Sequence, residues 1–358
     1  MIQLDKLRID SHKLIYHPRR VAQWLDGEPI YPVYIEISPS GACNHRCTFC
    51  AIDYTGYHSR FIDTAPLMDR ITEFGAHGVG SIMYAGEGEP LLHPDISRIV
   101  CHTRSIGIDV AITTNGVKLV PQLAEQILPH LSWLKISIDA GSPEQYASIH
   151  RTKPDDFHTV FANIEAAATM IEDNGWTCAL GTQALLLPEN ADEMEVLAAR
   201  VKDAGAHYLV IKPYSHNHKS QTCRYAGFDY SPYLDLKERL ERYCDSRFSV
   251  VFRLNAVSKA LQKERGYDRC LALPFWSYID SSGNVWGCSA HMGDDRFLYG
   301  NIYEESFRNI WNGKRRHQSL DYISRELDPE NCRANCRMDE INRYLQELTH
   351  PSGHVNFI

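Results

Sequence analysis

The stretch Cys43-Asn44-His45-Arg46-Cys47-Thr48-Phe49-Cys50 decides how this chain is read. Three thiols stand in C-x-x-x-C-x-x-C spacing, directly after an apolar strand candidate at 33–37 and the turn Ser38-Pro39-Ser40-Gly41. Thiolates are soft ligands, suited to iron–sulfur clusters, zinc and copper(I). Three ligands on one short loop can hold three corners of a cubane cluster and leave the fourth iron open. An open position is what separates a catalytic metal site from a structural one. Zinc is the bland alternative. A structural zinc site wants four ligands, and the nearest fourth donor, His45, lies inside the loop and is poorly placed to join its neighbours.

Composition sets the outer bounds. The 358 residues suffice for one large domain, or a medium domain with an appendage. Hydrophobic content of 44% and charged content of 23% are those of an ordinary globular protein. A formal net charge of −8 argues against general nucleic-acid affinity. The N-terminus has no apolar core of signal-peptide length, and no stretch approaches the roughly 20 apolar residues of a membrane span. The expectation is a cytoplasmic protein with no nucleic-acid or membrane partner. Its 11 cysteines then read as metal ligands or reactive thiols before disulfides.

Outward from the cysteine loop, apolar strands alternate with amphipathic helices. After the strand at 33–37 come strands at 81–85, 109–113, 133–139, 178–187 and 207–212, a rhythm that predicts a parallel sheet with right-handed crossovers. Alternation in the fourth strand puts Lys135, Ser137 and Asp139 on one face. The last two fall at its C-terminal end, where ligand groups gather in barrels and open parallel sheets. The turn Gly86-Glu87-Gly88-Glu89-Pro90 reads either as a tight strand-to-helix turn or as glycines admitting a ligand close to the backbone. Beyond Pro213 the rhythm stops. The polar run from Tyr214 to Ser220 is expected to face the site, with Tyr214, His216 and His218 as substrate contacts and Cys223 close by. A second thiol set, Cys270, Cys288, Cys332 and Cys336, can close a metal site completely, with iron–sulfur or zinc.

The cysteine loop, with Phe49 just before its last thiol, resembles the cluster loop of the radical S-adenosylmethionine (radical SAM) enzymes. The glycine-rich turn, and the run Ile138-Asp139-Ala140-Gly141-Ser142 through Ile149-His150-Arg151, are similar to further segments of that family. The resemblance implies an α/β fold. A lead-in over 1–31 is followed by a partial (β/α)6 radical SAM barrel over 32–230 and a smaller C-terminal auxiliary iron–sulfur domain over 231–358. It implies that Cys43, Cys47 and Cys50 hold a 4Fe–4S cluster whose open iron is chelated by S-adenosylmethionine. Reductive cleavage of that cofactor yields a 5′-deoxyadenosyl radical, which takes a hydrogen atom from substrate. Gly86, Gly88, Glu89, Asn115, Ser137, Asp139 and Arg151 are the implied cofactor contacts, with Glu89 on the amino group and Arg151 on the carboxylate.

The second thiol set, with Gly283, Gly300-Asn301-Ile302 and Ile310-Trp311, resembles the auxiliary domain called SPASM or twitch. Four cysteines are fewer than the full SPASM pattern carries. They imply the shorter twitch arrangement with one further 4Fe–4S cluster, so two clusters in all. A flavodoxin- or ferredoxin-type electron donor is implied.

The expected substrate is a small polar molecule: a sugar, sugar nucleotide or aminoglycoside-like compound. Loss of an electron to the auxiliary cluster would make the enzyme an oxidoreductase. Return of a hydrogen atom from Cys223 would make it an epimerase, an isomerase. The rival expectation is a SPASM-type peptide or protein maturase modifying a ribosomal peptide. A non-enzymatic iron–sulfur protein would cleave no S-adenosylmethionine.

Overall fold

A computed structural model describes residues 8–253, 256–257, 265–333 and 335–357. Short, largely apolar runs form β1 (Tyr34–Ile37), β2 (Ser81–Tyr84), β3 (Asp109–Thr114), β4 (Trp133–Ser137), β5 (Ala179–Leu186) and β6 (Tyr208–Pro213). They pair in parallel and in chain order. Parallel neighbours need a crossover, and the amphipathic segments supply it. After α1 (Pro18–Leu25) these are α2 (Thr64–Ala76), α3 (Ile96–Ser105), α4 (Pro121–Ile127), α5 (Pro143–His150), α6 (Asp155–Asn174) and α7 (Met194–Asp203). Their apolar stripes and the outward strand residues, such as Ile82, Ile112, Leu134 and Ile136, form one fully buried core. The opposite strand face lines a cavity, to which β4 contributes Trp133, Lys135 and Ser137.

The sheet extends past the boundary expected at residue 230. After α8 (Leu236–Glu241), β7 (Ser249–Phe252) adds to β6 in parallel, so the barrel sheet has a seventh strand drawn from the segment read as auxiliary. Val250 and Val251 suit a strand; the long polar stretch before them hid its continuity with the barrel. The apolar run over 248–254 reads in the sequence as one strand; it ends at Phe252, and Leu254 lies outside the described residues.

At the other end, β8 (Trp276–Ile279) pairs in parallel with β1, and β9 (Asn284–Trp286) and β10 (Leu298–Asn301) follow antiparallel. The order is β10-β9-β8-β1-β2-β3-β4-β5-β6-β7. All four residues of β8 are buried, as a strand flanked on both sides requires.

The C-terminal helices α9 (Phe307–Trp311), α10 (Lys314–Arg325) and α11 (Asp339–Thr349) fasten this extension. Glu73 on α2 accepts from the backbone N–H groups of Phe307 (2.9 Å) and Arg308 (2.8 Å), and so caps α9. Phe74 and Phe307 meet edge to face at 4.6 Å, and Trp311 Nε1 donates to Ile30 O at 2.7 Å. The lead-in joins the same assembly. Val21 of α1 packs with Phe275 and Leu345, while Arg8, His12 and Lys13 reach the cavity.

Candidate active site

The three-thiol loop has little regular structure of its own and borrows rigidity from its neighbours. Arg46 N donates to His150 O (3.1 Å) and Thr48 N to Ile149 O (2.8 Å), so the end of α5 supplies its scaffold. Thr48 Oγ1 meets Tyr225 Oη at 2.7 Å. From the other side Glu89 N donates to Ala42 O at 2.8 Å. A Cβ on Gly88 would stand 2.1 Å from that same carbonyl, which is why a glycine is needed there. Gly86 takes φ +126 and lies against Ser38 and Tyr278. Both glycines thus let the turn after β2 lie flat on the cysteine loop.

The thiols converge. Burial pushes the Cys43 thiol up to about 11 and Cys47 well above its ordinary value, and the neighbouring sulfurs push Cys47 further. Burial also raises Cys50. Three half-buried sulfurs that would repel one another as thiolates ionise more readily when a cation replaces their protons, which is the donor set an iron–sulfur cluster needs. Beneath them His150 is buried and, chiefly through that burial, held neutral. Asp139 N donates to its Nε2 at 3.3 Å, which leaves the ring proton on Nδ1, 3.3 Å from Cys47 Sγ. His45, Cys47 and His150 form the one cluster of potential ligand atoms within 4.8 Å found among the described residues. Nothing in the sequence alone marks His150 as a neighbour of Cys47, because 103 residues separate them.

The expected cofactor contacts divide. Ser137, Asp139 and Gly86 line the cavity together with Phe49 and Cys50 of the loop. Burial raises the Asp139 carboxyl to about 7, against the pull of the Leu185 N–H and Lys212. Glu89 is buried and largely engaged: Oε1 accepts from Leu91 N (3.0 Å) and Thr114 Oγ1 (2.5 Å), and Oε2 from Asn115 N (2.8 Å). Asn115 Nδ2 in turn donates to Asn44 Oδ1 at 2.7 Å. These two residues tie β2 and β3 to the cysteine loop. Arg151 is not brought to the cavity. It is exposed, in a left-handed conformation at φ 49, where it ends α5.

The polar segment after β6 is a strap rather than an open rim. Asp53 accepts from Ser220 Oγ (3.0 Å), Gln221 N (2.8 Å) and Thr222 N (3.1 Å), and Lys219 Nζ donates to Met292 O (2.7 Å). It links the cysteine loop to the C-terminal region. Tyr214 is buried and lines the cavity. His216 and His218 do not line it, and the exposed His218 ring faces His291 at 5.6 Å. Cys223 is exposed and also outside the cavity lining.

The second thiol set assembles from distant places. Cys270, Cys288 and Cys336 pack against one apolar cluster containing Trp276, Trp286 and Phe297. Burial raises Cys270, lifts Cys288 to about 12 and Cys332 to about 11, with Cys336 adding repulsion to each. The donor set again fits a cation-bearing group. Asn342 of α11 positions it: Oδ1 accepts from Leu271 N (2.8 Å) and Ala272 N (2.9 Å), and Nδ2 faces Cys270 Sγ at 3.7 Å.

Both regions meet at one cavity of about 720 Å³. Phe49, Cys50 and Ile52 wall one side, and Ser289, Met292 and Arg333, which flank Cys288 and Cys332, wall the other.

Comparison with known proteins follows the same division. Residues 37–201 match the family model of the radical SAM superfamily, and residues 270–337 that of the SPASM iron–sulfur cluster-binding domain. The chain is 23% identical over 328 residues to an AdoMet-dependent heme synthase of Methanosarcina barkeri, spanning 85% of this chain and 87% of that protein. It is 31% identical over 198 residues to a GTP 3′,8-cyclase of Chlorobaculum tepidum, 54% of this chain and 58% of that one. Among solved structures, SuiB of Streptococcus suis bound to the precursor peptide SuiA is similar with TM-score 0.63 at 19% identity, covering 84% of this chain and 69% of that chain. The anSMEcpe structure with bound AdoMet is similar with TM-score 0.60 at 16% identity, covering 87% and 88%. Likeness at such identity is likeness of fold.

Proposed function

Since the chain belongs to the radical SAM superfamily and carries a C-terminal SPASM domain, we propose that it abstracts a hydrogen atom from a peptide or protein substrate held in the cavity between its two thiol sites. The radical SAM domain binds a 4Fe–4S cluster and S-adenosylmethionine, and the SPASM domain binds further iron–sulfur. Cys43, Cys47 and Cys50 would hold the first cluster, and Cys270, Cys288, Cys332 and Cys336 an auxiliary one. The first cluster with its cofactor supplies the hydrogen-abstracting radical.

The observation that carries the reading is the shared cavity. Residues beside both cysteine sets wall one space, so a substrate carbon there lies between a radical source and an electron acceptor. The protein's own groups would orient it: Ser137 and Asp139 project from the C-terminal end of β4, and Tyr214 and Ser215 line the space from the strap. No helix among the described residues is long and apolar enough to cross a membrane, and a flavodoxin- or ferredoxin-type donor would deliver the reducing electron.

A peptide substrate draws support from the fold, which holds a precursor peptide in SuiB and peptides in anSMEcpe. The sugar expectation loses its footing, because two of its three contact residues and its thiol stand outside the cavity. A small polar molecule is a second reading, supported by one observation, the lysine and arginine side chains on the cavity wall.

Anaerobic reconstitution, reduction and assay of 5′-deoxyadenosine decide between them. Peptide-stimulated 5′-deoxyadenosine carrying hydrogen from a labelled peptide is expected. Stimulation by sugar nucleotides and by no peptide would replace this reading with the second.

A further inference from the structure

The cavity wall is strongly cationic. Seven lysine and arginine side chains line it, against the carboxylates of Glu36 and Asp139. Two of the seven are already paired: Arg253 Nε donates to Asp10 at 3.1 Å, and Arg337 pairs with Glu36. Lys135 and Lys212 are different. They come from β4 and β6, with β5 between them, Lys135 level with Gly181 and Lys212 level with Leu185, and both line the one cavity. Neither has a hydrogen bond or ion pair among the described residues; Lys135 lies 5.0 Å from the Trp133 ring. The Nε of Arg333, entering from the C-terminal region, is buried and also without a partner among the described residues.

Like charges gathered out of water are unfavourable, and here Asp139, which attracts Lys212, is the nearby opposite charge. Burial lowers Lys135 to about 8 and Lys212 to about 7, and repulsion from Arg253 adds to both. In a chain whose net charge is −8, such a concentration of positive charge runs against the composition. Ionisable groups perturbed in a cavity are candidates for ligand contact, because the ligand supplies what the protein withholds.

We infer that the portion of the substrate entering this cavity is anionic, with carboxylate or phosphate oxygens held between Lys135 and Lys212 and flanked by Arg333. This rests on the reading that the cavity receives the substrate. The anion could belong to an acidic stretch of peptide or to a small polyanion. Lysine ammonium groups and the arginine fork bind both by charge-assisted hydrogen bonds.

The test is binding to the reconstituted, S-adenosylmethionine-loaded protein, read by calorimetry and melting temperature without turnover. The probes are a tetraglutamate peptide, citrate and pyrophosphate, with a tetraserine peptide as control. The anions are expected to bind and raise the melting temperature, and tetraserine to do neither. Lys135→Met and Lys212→Met are each expected to weaken anion binding by about tenfold or more, with Lys212→Arg retaining it. Tighter binding of tetraglutamate supports an acidic peptide, and tighter binding of citrate or pyrophosphate a small anion.

Equal anion affinity in wild type and both methionine variants would overturn the inference. So would variants that lose affinity for S-adenosylmethionine alone, since the lysines would then serve the cofactor carboxylate. So would a wild-type protein that binds none of the anions, a result that needs no variant to fold. Because no turnover is read, that failure leaves the peptide reading standing. A peptide that stimulates no 5′-deoxyadenosine would leave the anion site standing.

Discussion

The two thiol sites solve one problem in opposite ways. Cys43, Cys47 and Cys50 come from a single loop, and the rest of the barrel exists locally to hold that loop still: α5 below, the turn after β2 beside it, Tyr225 at its edge. Cys270, Cys288, Cys332 and Cys336 come from four segments and meet only when β8, β9 and α11 have packed. The first site is a local motif with distant supports. The second is a consequence of tertiary structure. Ligand loss should therefore be contained at the first site and should spread at the second.

The largest effect should separate them outright. Cys47→Ala should abolish reductive S-adenosylmethionine cleavage and remove about half the iron, with the auxiliary signal in electron paramagnetic resonance unchanged. Cys336→Ala should remove the auxiliary signal, lower the melting temperature and leave substrate-free cofactor cleavage in place. Equal thermal stability of the two variants would break the contrast.

Asn342→Ala sharpens it next. The change strands two backbone donors, Leu271 N and Ala272 N, at about 1–3 kcal/mol each. Denaturant unfolding should show that loss, and the first cluster should keep its iron.

His150→Phe asks how far the local supports reach. It removes the Nδ1 proton facing Cys47 Sγ. Cofactor cleavage about tenfold slower, with a shifted potential at full iron content, is expected of a hydrogen-bond partner to a ligand. An unmoved potential would reduce His150 to a packing role.

The smallest effect concerns the cavity shared by both sites. The folded-state value of Lys212 is about 7, against about 10.4 for the free side chain. Below pH 7 the ammonium is charged in both states and its burial cost is fully present. Between about 7 and 10 the folded state sheds its proton first, and the cost fades. Lys212→Met lacks that cost, so its melting-temperature advantage over wild type in anion-free buffer should be greatest below pH 7 and vanish toward pH 10.

The sequence made the first site and the barrel legible because both are written in local code. Spacing of three cysteines, a glycine-rich turn and strand–helix alternation all lie within short windows. The cavity wall was half legible: alternation in β4 put Lys135 on the face of Ser137 and Asp139, but nothing in it said that Lys212, which the register sets nearer the Asp139 end, would line the same cavity. Arg151 and Cys223 show the limit. Neither lines the cavity: Arg151 ends α5 at a left-handed φ of 49 and Cys223 is exposed, and neither feature is written in a short sequence window. The place of β8 was beyond local reading, since its partner β1 lies at the far end of the chain.

That pairing has a consequence for biosynthesis. On the ribosome, β1 emerges early and finds β2 soon after, while its other edge waits until Trp276–Ile279 has been made. Until then the strand that leads into the cysteine loop offers an unpaired, apolar edge (Ile35 and Ile37) to any other nascent chain. The last step in completing the sheet is thus also the step that shields its first strand, and premature termination before β8 should yield aggregates rather than a smaller working barrel.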